Sequence, residues 1–167
     1  LLSQSTFPDI TRATALHKYT NHQLSPNEIN DIRKFLNDPS ILVRNEAIRA
    51  FEKFNSKSHF ASIEPLIRDS IRLVRISAVK FFNNMGANMS GNSSFEKAEK
   101  EYIDELKINA DFATGQHQIA IYHEHKGHID LAIQAYRKSL EIDNRYNMSR
   151  MNLAILVYKQ GQIEEAK

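Results

Sequence analysis

Apolar side chains recur along this chain at intervals of three and four residues, the spacing that gathers them on one face of a helix. Ile29, Ile32, Phe35 and Leu36 form one such stripe, and Ile63, Leu66 and Ile67 form another. Three further stripes are copies of one another. Arg12-Ala-Thr-Ala15-Leu-His-Lys-Tyr19, Arg44-Asn-Glu-Ala47-Ile-Arg-Ala-Phe51 and Arg75-Ile-Ser-Ala78-Val-Lys-Phe-Phe82 share the form Arg-x-x-Ala-aliphatic-basic-x-aromatic, at spacings of 32 and 31. Within each copy the small Ala lets a neighbouring helix come close, and the aromatic fills the space one turn further on. A helix precedes two of the copies. Ser25-Pro-Asn-Glu28 predicts a capping box with Pro at the first helical position. The other begins at about Phe60 and contains Pro65, placed near its start or kinking it.

A second repeat occupies the rest of the chain. Gly127-His-Ile-Asp-Leu-Ala132 returns as Gly161-Gln-Ile-Glu-Glu-Ala166 after 34 residues, and Ile119, Ala120 and Ile129 return as Leu153, Ala154 and Ile163. Repetition at this period marks stacked helical hairpins, none of which can bury its apolar face without a neighbour. Between the two repeats, residues 85–94 form a linker rich in Gly, Ser and Asn. Ser93-Ser-Phe-Glu96 then predicts a new helix start. The helix over 95–109 aligns with the second helix of the 34-residue unit, since Ala98, Tyr102 and Leu106 each stand 34 residues before Ala132, Tyr136 and Leu140.

Composition narrows the picture without naming a ligand. At 167 residues, 41% apolar and 25% charged, the chain is ordinary for a soluble globular domain or short solenoid. Its apolar runs are too short to span a bilayer, and Leu1-Leu-Ser-Gln-Ser5 has neither the basic flank nor the apolar stretch of a signal peptide. The missing initiator Met and the end at Lys167, within a repeat, predict a fragment of a longer protein. The absence of cysteine excludes disulfides, thiol nucleophiles, Cys-ligated zinc and covalent haem attachment within this stretch. The net charge of +2 divides into +4 over residues 1–86 and −2 over 87–167, neither large enough to argue for nucleic acid.

The first part, residues 1–86, resembles HEAT-type repeats, with the likeness covering roughly 6–84. It rests on Asp38 six residues before Arg44, Asp69 six before Arg75, and the proline in the first helix of a pair. The resemblance implies that these Asp and Arg side chains bond along the stack. The first copy has Thr6 where the Asp belongs, which puts that link in doubt for Arg12. Residues 87–112 supply the linker and a bridging half-repeat. Residues 113–146 and 147–167 resemble tetratricopeptide repeats, the second one truncated, through Ile119, Ala120, Gly127, Ala132, Tyr136 and Leu140, then Leu153, Ala154, Gly161 and Ala166. Gln116 and Arg150 replace the usual aromatic, Ser139 a small Ala, and Asn144 the turn Pro, so looser contacts between helices are expected.

Together these resemblances imply an all-α, right-handed α-α superhelix, a solenoid of HEAT-like and tetratricopeptide hairpins joined through the helix at 95–109. The order of the two segments is similar to the C-terminal region of bacterial tetratricopeptide proteins that carry a multihaem cytochrome c domain upstream. That likeness implies a periplasmic protein whose haem lies before Leu1, with no cofactor in this chain. It also implies an alternative role, as the non-catalytic docking region of an electron-transfer protein.

Candidate chemistry is sparse. His117, His123, His125 and His128 fall within twelve residues. However, His117 and His125 would stand about 12 Å apart along a helix, too far to share one ion, so a polar groove is the better reading. No Gly-rich phosphate loop, Gly-x-Ser-x-Gly or His-Glu-x-x-His occurs. Glu99, Glu101, Glu164 and Glu165 read as solvated helix surface, and no enzyme activity is expected. Arg68, Arg72, Arg75 and Lys80 cluster, but without an aromatic platform nucleic acid is disfavoured.

A protein or peptide partner is the expectation instead. The tetratricopeptide resemblance implies a concave surface lined by the first helix of each pair, here Thr114, His117, Ile121, Glu124 and His125, then Met148, Met151, Ile155, Tyr158 and Lys159. A following repeat could equally cover Met151 and Ile155. The Lys/Asn clamp for a C-terminal carboxylate is not reproduced, since Asn152 stands without its partners.

Overall fold

The computed structural model describes residues 6–54 and 57–161. Among these residues the protein is all helical, with no strand. The α-helices are α1 (Asp9–Tyr19), α2 (Pro26–Arg33), α3 (Ile41–Lys53), α4 (Phe60–Ile63), α5 (Arg72–Asn84), α6 (Ser93–Ile108), α7 (Ala113–His125), α8 (Ile129–Ile142) and α9 (Asn147–Lys159). None of the described helices is long and apolar enough to cross a membrane. Contacts divide the chain into two compact units, Leu1–Glu101 and Tyr102–Lys167, with the division inside α6.

In the first unit, α1 packs on α3 and α3 on α5. These are the three Arg-x-x-Ala stripes. Leu16, Ala47, Ile48, Phe51, Ala78, Val79 and Phe82 are buried where they meet, each of the larger ones contributing about 1.5–3 kcal/mol. The helices between them are short. α2 starts at the expected capping box, with the Ser25 amide donating to Glu28 Oε2 at 2.8 Å. It tightens into a 3-10 turn over Lys34–Asn37. α4 gives way to a 3-10 segment, Glu64–Arg68, at Pro65. Proline has no amide hydrogen and its ring would strike the carbonyl four residues back, so the α-helix cannot continue through it. α6 begins at Ser93, where Ser93-Ser-Phe-Glu96 predicts a helix start. Asn92 accepts from the Phe95 amide at 3.1 Å, one residue earlier than Ser93.

Arginines tie these helices together. Arg12 pairs with Asp38, Arg44 grips Asp69 through two hydrogen bonds of 2.9 and 3.0 Å, and Arg75 grips Glu101 through two of 2.8 and 2.7 Å. Arg44 and Arg75 also donate to the carbonyls of Asp38 and Asp69, six residues before them, at 2.8 Å each. Every rung therefore reaches forward to the next acid, 25 or 26 residues on. This corrects two expectations. Arg12 makes the link without an Asp six residues before it, because the carboxylate it grips, Asp38, lies in the following copy. Glu101 is not solvated surface but the third rung, and its carboxyl pKa is held below the usual range chiefly by the Arg75 hydrogen bonds.

In the second unit, α7 and α8 form a hairpin closed by Lys126–His128, and α8 packs on α9. Gly127 lies at φ 74°. The amides of Gly127 and His128 return to the carbonyls of Glu124 and His123 at 3.0 and 2.9 Å, the bonding that ends a helix in a left-handed residue. Ser139, late in α8, donates to the Ala113 carbonyl at the start of α7 at 2.8 Å, so the two helices run antiparallel. Ala120, Ala132, Ile133, Ala135, Tyr136, Leu156 and Val157 make the core, with Ile119, Ile121, Ile129 and Leu153 packed against it. Ile163 and Ala166, which complete the second repeat in the sequence, lie outside the described residues.

Candidate functional site

Three helices of the second unit enclose a cleft of about 300 Å³, lined by Ile121, Glu124 and His125 from α7, Tyr136 from α8, and Asn152 and Ile155 from α9. Its shape follows from helical periodicity. Ile121, Glu124 and His125 are spaced three and four residues apart and share a face, as do Asn152 and Ile155. The Tyr136 ring is fully buried beneath them. Its hydroxyl donates to Glu124 Oε2 at 3.0 Å and accepts from Asn152 Nδ2 at 3.1 Å. Burial, and then the neighbouring carboxylate, push the Tyr136 pKa well above its ordinary value, while the Asn152 hydrogen bond opposes them. The phenol stays protonated and remains a donor to Glu124. With that donor committed, Glu124 keeps lone pairs free to accept further hydrogen bonds in the cleft that it lines.

The other sequence-predicted residues are distributed differently. Met151 and Tyr158 stand 60% and 63% exposed on α9, beside the cleft rather than lining it, and Met148 continues the same surface. Lys159 and Thr114 are exposed. His117 is not on an open face. It is 3% exposed, because two small residues, Ser139 and Ser149, leave room for its ring to sink between the helices. There Nδ1 lies 2.9 Å from Ser149 Oγ, which lies 2.7 Å from Ser139 Oγ.

This histidine–serine contact invites comparison with a nucleophile and its base, and proton accounting rules against it. Ser139 spends its one hydroxyl proton on the Ala113 carbonyl. Ser149 must therefore donate to Ser139, and His117 Nδ1 must donate to Ser149. The imidazole faces Ser149 with a proton rather than a lone pair, and Ser149 is fully buried. The chain of bonds is structural. Tyr136 and Tyr146 close around the ring at centroid distances of 5.5 and 5.4 Å. Burial lowers the His117 pKa, against the opposing pull of the Glu124 charge.

In the first unit a second crevice, of about 310 Å³, lies among Arg68, Asp69, Arg75, Ser94, Lys97 and Glu101. Arg75 is spent on Glu101, Arg68 donates to Ser94 Oγ at 3.1 Å, and Arg72 donates to the Glu101 carbonyl at 3.0 Å. The basic cluster of the sequence is thus largely engaged in holding the unit together. No group of three or more His, Asp or Glu gathers to hold a metal among the described residues.

Tyr136 and Asn152 were not among the expected site residues. Tyr136 looks like a packing position of the repeat, but a buried tyrosine hydroxyl requires a partner, and that requirement points to Glu124 and Asn152. Comparison with protein-family models, with curated proteins and with solved structures finds no match for this chain.

Proposed function

We propose that this chain is a right-handed superhelix of HEAT-like and tetratricopeptide hairpins. It acts as a protein-binding scaffold, with the α7–α9 cleft receiving a peptide segment of a partner. The cleft itself carries the reading. It is open, it combines apolar walls (Ile121, Ile155) with a small convergent polar set (Glu124, Tyr136, Asn152), and Met148, Met151 and Tyr158 extend an exposed apolar surface alongside it. Flexible Met and aromatic Tyr suit adaptable contact with an apolar partner. Binding without chemistry fits the groups present, since the phenol is held protonated and the His117–Ser149 pair is closed to solvent.

The test is selection of a displayed random twelve-residue peptide library on the purified chain. Recovered peptides are then measured against Ile155→Glu, Tyr158→Ala and a control variant on the exposed side of α8, Gln134→Ala. Loss of binding in the first two with retention in the control is the expected result. No recovered binders, or binders indifferent to Ile155→Glu, would contradict the proposal.

A further inference from the structure

We infer that the cleft selects a peptide carrying a lysine or arginine among apolar residues, an inference that rests on the peptide-binding role proposed above. Formal charge in the cleft is one-sided. Glu124 is the carboxylate in its lining, beside the apolar Ile121 and Ile155. The Tyr136 hydroxyl directs its proton at Glu124, so it offers the cleft no donor in exchange. An acidic side chain entering here would meet the like charge of Glu124. A neutral apolar one would leave the Glu124 oxygens to be stripped of water without compensation, which is costly.

A lysine or arginine answers both demands at once. Its methylene stem lies along apolar walls while the charged head stays at a polar tip, and here the walls are Ile121 and Ile155. The head supplies only donors, three on an ammonium and five on a guanidinium, to a carboxylate that only accepts. The fixed geometry of Glu124 matters as well. Its bond to the buried Tyr136 ring holds the carboxylate in place before any ligand arrives, so little ordering remains to oppose binding. Apolar neighbours of the basic residue then meet Met151 and Tyr158 on the flank of α9.

The experiment compares selections from the same displayed library on the unaltered chain, on Glu124→Gln and on Glu124→Lys. The expected result is enrichment of Lys or Arg at one position between apolar residues, loss of that enrichment with Glu124→Gln, and its reversal toward Asp or Glu with Glu124→Lys. For a recovered peptide, replacing the basic residue by Gln should weaken binding to the unaltered chain about tenfold or more and have little effect on Glu124→Gln. Binders without basic residues, or basic enrichment that survives Glu124→Gln, overturn this inference while leaving peptide binding intact. Failure to recover any binder overturns both.

Discussion

Gly115 offers a sharp test of the packing that builds the cleft, because helix propensity and close approach predict opposite signs for its replacement. It lies within α7, where exchanging Gly for Ala ordinarily gains about 0.8–1.0 kcal/mol. A Cβ at this position, however, would stand 1.7 Å from the Asn109 backbone oxygen and 2.4 Å from its carbonyl carbon. Ordinary contact begins near 3.4 Å, so α7 and the turn before it must part by roughly 1.7 Å. Overpacking of this kind costs about 1–3 kcal/mol, and sometimes more. The displacement also strains the 2.8 Å bond from Ser139 to the Ala113 carbonyl, and a stranded buried hydroxyl costs about 1–3 kcal/mol. Gly115→Ala is therefore expected to lose about 2–4 kcal/mol net, propensity gain included. Urea unfolding followed by far-ultraviolet circular dichroism should show a midpoint lower by about 1–2 M. A midpoint unchanged or raised would mean that α7 does not meet Asn109 as described, and the position of Ile121 and Glu124 would then be in error.

Two further outcomes follow from the electrostatics. Asp69→Asn leaves Arg44 without its carboxylate in a setting where the side chains are only 12% and 10% exposed, and should cost about 3 kcal/mol. Glu101→Gln, at 22% and 24% exposure for its pair, should cost about 1–2 kcal/mol, and thermal unfolding of the two variants checks the order. Acid should weaken the fold in two windows. His59 and His117 have pKa values lowered by burial, so the unfolded chain binds protons first and stability falls as pH drops below about 6.5. Glu28, lowered to about 2 chiefly by the Ser25 backbone hydrogen bond, contributes stability above about 4.5 that is lost between there and about 2. Melting temperatures recorded from pH 8 to pH 3 should fall from near pH 6.5 downward, and a flat profile to pH 5 would refute the histidine part.

Much of the helical layout could be read from periodicity because the signals were local. Gly127 and Gly161 stand 34 residues apart and both take positive φ, 74° and 79°, where a side chain is disfavoured. Ser25 and Glu28 announce α2 by chemistry that needs no distant partner. What escaped was set by contacts far apart in sequence. The Glu101 rung repeats the 26-residue reach of Arg12 to Asp38, yet a glutamate among lysines on α6 gives no local sign of it. His117 occupies a position expected to face outward, and only the joint smallness of Ser139 and Ser149 explains its burial. In the cleft, Ile121, Glu124, His125 and Ile155 follow from helical spacing, whereas the Tyr136 and Asn152 contacts depend on how α8 and α9 meet.

The most direct measurement of where this protein binds is a nitrogen-15 amide-shift titration of the labelled chain with a peptide recovered from the library. Shifts concentrated on Ile121, Glu124, His125, Asn152 and Ile155, saturating together, are the result expected of a ligand seated between α7 and α9. Shifts centred instead on the Arg68–Lys97 crevice, or scattered without a common saturation curve, would contradict that assignment.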